Sequence, residues 1–112
     1  MKIEIQTIPR FDKEFKRLSK KYKSLLNDLR TLSELLTDNP QMGTNLGAGL
    51  HKIRLGSESK GGGKSGGFRV ITYFTEQKQD TETVYLITIY DKSEEENITK
   101  KELLKILTNA FD

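Results

Sequence analysis

Lys52, Arg54, Lys60, Lys64 and Arg69 fall within one short stretch of this chain, around Gly61, Gly62, Gly63, Gly66 and Gly67. The glycines argue a loop with no fixed conformation of its own. Leu50–Leu55 and Phe68–Phe74, on either side of it, read as strands: the first alternates, and the second is rich in β-branched and aromatic residues. A basic, hairpin-like unit with a glycine loop is a device for holding a polyanion. Its residue types also suit a particular reaction. In RNA the ribose 2′-OH can attack the adjacent phosphate, giving a cyclic phosphate and a free 5′-OH. A catalyst must lower the barrier at the hydroxyl and stabilise extra charge on the phosphorane oxygens. Arginine serves the second task through its planar fork of donors. A lysine among other cations gives up its proton more readily, so one can serve as base. A tyrosine can act as acid, base or positioning group. Aromatic rings can stack on the bases of a splayed strand. No metal is required.

Gly63-Lys64-Ser65 looks like the end of a phosphate-binding P-loop, but its context is missing. That motif needs a glycine where this chain has Glu58, and a helix after the lysine. Here a strand follows, which argues against nucleotide hydrolysis.

The totals narrow the classes further. The chain has 112 residues and no cysteine, so one domain, 1–112, is expected, without disulfides, thiolate metal sites or cysteine nucleophiles. The single histidine, His51, cannot make a histidine metal cluster and reads as a structural or surface residue. No metal or cofactor is expected. The absence of a long apolar run or leader pattern points to a cytoplasmic protein with no membrane partner. The net charge of +3 is unevenly spread. Residues 10–23 carry seven Lys or Arg against Asp12 and Glu14, and residues 52–78 carry six against Glu58 and Glu76. Residues 79–112 carry eight acidic residues against four basic ones. Two basic blocks suit a nucleic-acid or acidic-protein surface, or plain solvated surface.

The elements that must position the basic residues follow in order. Lys2–Ile8 alternates as a half-buried strand that Pro9 ends. Phe11, Phe15, Leu18 and Tyr22 form one helical stripe, and Leu25, Leu26, Leu29, Leu32, Leu35 and Leu36 a second in another register. Ser24 is placed to cap the second helix, and Asn39-Pro40 stops it. Gln41–Gly49 reads as loop from its glycines. After the two strands around the basic loop and a polar turn, Glu82–Tyr90 is a largely apolar, central strand. Thr99-Lys100-Lys101-Glu102 fits a capping box that opens a short C-terminal helix. The expected fold is α+β. Three consecutive strands form an antiparallel meander, the first strand joins an edge, and the helices cover one face and leave the other open.

At this point the chain resembles the RelE/HigB-like toxins of bacterial toxin–antitoxin modules over nearly its whole length. The densest part runs Gly49-Leu50-His51-Lys52-Ile53-Arg54-Leu55, then Lys60 to Phe74, and closes with Tyr85 to Glu94. The resemblance implies a small RelE-like domain with a mainly antiparallel sheet against an N-terminal helical hairpin. It implies a toxin, monomeric when free, that is neutralised by a cognate antitoxin and cleaves mRNA, usually in the ribosomal decoding site. Carried over by position, Lys52 and Arg54 match basic residues before the loop, and Lys60 and Lys64 match the loop lysines. Arg69 matches the arginine that opens the next strand, and Tyr90 with Lys92 the polar end of the last. Arg69, Lys64, Tyr90 and Lys60 are thus the candidates for catalysis, and Lys52, Arg54, Lys92 and Tyr73 for holding substrate. Tyr73 also reads as a sheet aromatic and Lys60 as a solvated loop lysine. Some family members have a catalytic histidine near the last strand, where this chain has none. Two other readings use the same residues: a ParE-like inhibitor of DNA gyrase that acts by protein contact, and a non-catalytic module that binds RNA or protein.

Overall fold

Proline's fixed φ suits a first helical turn, where its missing N–H is not needed. The computed structural model describes residues 2–61, 67–77, 80–94 and 98–111. It places strand β1 at Lys2–Thr7 and helix α1 at Pro9–Lys21, with that proline in the first turn. Phe11 and Leu18 of the apolar stripe are buried. The chain breaks at Tyr22 and resumes as α2, Leu25–Asp38, buried through Leu25, Leu32 and Leu36. Ser24 precedes α2 but makes no side-chain capping bond, because its own backbone is already helical rather than extended. Its hydroxyl instead donates to Asp28 Oδ2 at 2.9 Å and accepts from Ser59 Oγ at 2.8 Å. The expected cap is replaced by a tie between the helical corner and a short 3₁₀ turn at Glu58–Lys60.

The sheet has five strands in the order β1-β5-β4-β3-β2. Strands β3 (Leu50–Leu55), β4 (Phe68–Gln77) and β5 (Thr81–Asp91) form the expected antiparallel meander. Strand β1 joins β5 in parallel and so occupies one edge. The other edge corrects the sequence reading. Gln41–Gly49 is not all loop: Thr44–Gly47 forms β2, antiparallel to β3. Gly43, Gly47 and Gly49 adopt positive φ and bend the chain around this strand rather than dissolving it.

Because side chains alternate across a strand, the register sorts residues by face. The rows Leu55–Phe68–Asp91 and Ile53–Val70–Ile89 face the helical hairpin, where the Tyr22 ring meets Phe68 edge-on at 5.1 Å. The rows Arg54–Arg69–Tyr90 and Thr44–Lys52–Ile71–Thr88 face the other way. That second face is only partly open, which also departs from expectation. Helix α3 (Lys100–Phe111) begins at Thr99, whose hydroxyl accepts from the Glu102 N–H at 3.2 Å. Its Phe111 ring packs against Tyr85 at 4.7 Å and Tyr73 at 5.6 Å, so it covers the far end of the face.

Candidate active site

Three strands bring their cations to one place. Lys52 and Arg54 project from β3, Arg69 opens β4, and Lys92 follows β5. With Thr44 of β2 they line a pocket of about 360 Å³ on the face opposite the hairpin. Among the described residues, this lining carries no carboxylate and no imidazole. Arg54 and Arg69 are direct cross-strand partners. Like charges so placed repel, and an anion between them relieves the repulsion. Arg69 is 5% exposed, and its guanidinium donates to the Phe68 carbonyl at 3.3 Å, which ties the fork to its own strand. A buried arginine lining a cationic pocket has a fork of donors held in one direction, which suits an anion such as phosphate.

The other expected site residues sit elsewhere. Tyr90 is the cross-strand partner of Arg69 but is 3% exposed and does not line the pocket. Tyr73 lies two rows from Arg69 and Tyr90 on the same face, stacked on Tyr85 at 6.2 Å and against Phe111, within the aromatic cluster that seats α3. Lys64 lies outside the described residues. Lys60 is on the opposite side of the sheet, where its Nζ is hydrogen-bonded and ion-paired to Asp91.

That pair is the centre of a buried node which the sequence reading missed. The Asp91 side chain is 0% exposed and that of Lys60 12%. Asp91 also accepts from Tyr22 OH at 2.8 Å, from the Ser93 N–H at 2.9 Å and from the Ser93 hydroxyl at 2.8 Å. The Lys60 Nζ lies 5.4 Å from the centre of the Tyr22 ring and 5.2 Å from that of Phe68. Burial pushes the Asp91 carboxyl up. The hydrogen bonds from Lys60, the Ser93 N–H, Tyr22 and the Ser93 hydroxyl outweigh it and hold the carboxyl well below the ordinary carboxylate range. One signal for the node was present: an acid at the end of an otherwise apolar strand needs a partner. Thr44 was also missed, because its strand was hidden among glycines.

Among the described residues, no group of three or more His, Asp or Glu is placed to hold a metal ion. No described helix is long and apolar enough to cross a membrane.

Comparison with solved structures finds the same fold in a doubly arginine-to-alanine substituted form of the E. coli toxin RelE in the free state. The TM-score is 0.59 at 16% identity, covering 97% of this chain and 98% of that one. A family model described as the RelE toxin of the RelE / RelB toxin-antitoxin system matches residues 10–111. The helical hairpin from its second residue on, the meander and the cationic pocket fall inside that match, and the chain belongs to the RelE toxin family.

Proposed function

We propose that this chain is the toxin of a toxin–antitoxin pair and a metal-independent endoribonuclease that cuts mRNA on the ribosome. The observation that carries the reading is the convergence of Lys52, Arg54, Arg69 and Lys92 on one pocket. The scissile phosphate sits between the Arg54 and Arg69 guanidiniums, whose donors match the growing charge on its oxygens. The 2′-OH attacks that phosphate. Its proton passes to a lysine of the pocket or of the loop (Lys52, Lys92 or Lys64), because the described lining offers no other base. As the new P–O2′ bond forms the P–O5′ bond breaks, and the leaving 5′-oxygen takes a proton from a second lysine of the pocket in its ammonium form, while Tyr90, buried beside Arg69 and outside the pocket, holds the strand end in place.

The same reading gives the partners. The protein acts in the cytoplasm, as a monomer when free. An acidic antitoxin segment neutralises it by covering the Lys52–Arg69 surface or displacing α3. Expression without antitoxin, followed by mapping of new 5′ ends on cellular mRNA, tests the proposal. New ends within translated regions support it. Inhibited gyrase without new mRNA ends would put the ParE-like reading in its place.

A further inference from the structure

Two of the pocket's cations, Arg69 and Lys92, stand at strand ends, and a buried acid lies on the reverse side of the sheet behind them. Asp91 pairs with Phe68 in the ladder, so its neighbour Lys92 and Phe68's neighbour Arg69 are each one residue from the node. The Lys92 N–H donates to the Gly67 carbonyl at 3.1 Å, and the Glu94 N–H to the Asp91 carbonyl at 3.0 Å. Lys60 closes the node from the 3₁₀ turn, which the serine hydroxyls tie to the helical corner. Three chain segments therefore meet at the Asp91 carboxylate, the α1–α2 corner, the 3₁₀ turn and the turn after β5, and the start of β4 pairs with the Asp91 backbone.

We infer that Asp91, with Lys60 and Tyr22, is a positioning residue that sets Arg69 and Lys92 against the bound phosphate without touching it. A structural ion pair could have stood anywhere in the core. This one lies directly behind the two cations that come from different strands, and alternation turns Asp91 to the hairpin and Arg69 to the pocket. Lys60 thereby spends its charge on the reverse side rather than on the substrate. The inference rests on the nuclease reading for its activity readout, but not for its structural one.

The test compares the parent with Asp91→Asn, Asp91→Asn/Lys60→Met, Lys60→Arg and Tyr22→Phe. The double variant removes both charges, so no unpaired buried charge is left to unfold the chain. Tyr22→Phe removes a single hydrogen bond and keeps the ring. Single-turnover cleavage of ribosome-bound mRNA should slow by up to about a hundredfold in the double variant, the size of effect that a small misplacement of reacting groups produces. Ribosome affinity should stay within about twofold, because the pocket cations remain. Tyr22→Phe should show a smaller loss of the same kind, and Lys60→Arg should keep most of the rate.

The second readout is independent of cleavage. The NMR signals of the Arg69 guanidinium and Lys92 ammonium are followed as a short RNA whose 2′-hydroxyls are methylated, and so cannot attack, is added. In the double variant and in Tyr22→Phe these signals should move and respond less to the RNA. Folded variants that cleave at the parent rate, or that lose rate and affinity together, overturn the inference. A parent that never cleaves overturns the nuclease reading alone, and the side-chain signals then decide: altered signals uphold the positioning role, and unaltered ones overturn it.

Discussion

Arg69 concentrates what the site asks of a single residue: a fixed direction, a planar fork and little access to bulk water. Removing a preorganised donor of this kind typically lowers a rate by about two to three orders of magnitude. Arg69→Ala should therefore abolish most cleavage, and Arg69→Lys should recover only part of it, because an ammonium keeps the charge but lacks the fork. Lys20→Ala, on the exposed side of α1, should leave the rate unchanged. Primer extension on a defined mRNA with purified ribosomes compares the three. Parent-rate cleavage by Arg69→Ala would remove this residue from the mechanism.

A second prediction at this scale concerns acid. Asp91 is held below its ordinary titration range in the folded chain and returns to it on unfolding. Its contribution to stability is thus complete above the unfolded carboxylate range, near pH 4, and is lost as pH falls toward the folded value. Thermal midpoints should drop on acidification below about pH 4 more steeply in the parent than in Asp91→Asn/Lys60→Met. Parallel curves would show that Asp91 titrates alike in the folded and the unfolded chain.

At the scale of elements, the periodic ones were legible. The stripe Phe11, Phe15, Leu18, Tyr22 and the leucines of α2 announce a hairpin, alternation announces β1 and β3, and a largely apolar run announces the interior strand β5. Local pattern failed where local signals point the wrong way. Strand β2 has four residues flanked by turn-forming glycines, and only its pairing with β3 makes it a strand. The pocket cations were legible by type and spacing, since strand alternation places Lys52 and Arg54 on one face. Tyr22, Lys60 and Asp91 were not, because their contact joins segments that sequence proximity does not connect.

Gly43 tests how strictly the edge is set. Its φ is +97°, and a Cβ there would lie 2.6 Å from the Lys52 carbonyl oxygen and 2.9 Å from Ile53 Cγ1. Gly43→Ala should destabilise the fold by roughly 1–3 kcal/mol in urea denaturation. It should also weaken cleavage, because β2 carries Thr44 and flanks Lys52. An unchanged midpoint would mean that the edge yields freely.

At the scale of the whole molecule, charge is sorted by face as well as by sequence. The hairpin side of the sheet buries its acid with a lysine, while the opposite side gathers cations around an open pocket. A strand of RNA on the pocket displaces counterions from its phosphates, so its affinity must fall with salt. For four phosphate contacts on a single strand, log K against log salt should have a slope of about −3. A flat response between low and physiological salt would argue against a polyanion ligand.

The central claim is that these cations cleave RNA by its own 2′-OH. The most direct measurement is the end-group chemistry of one defined mRNA, bound to purified ribosomes and treated with the purified toxin. A 2′,3′-cyclic phosphate on the upstream fragment and a 5′-OH on the downstream one are expected, both lost with Arg69→Ala. A 5′-phosphate on the downstream fragment, or the same ends formed at the parent rate by Arg69→Ala, would contradict the claim.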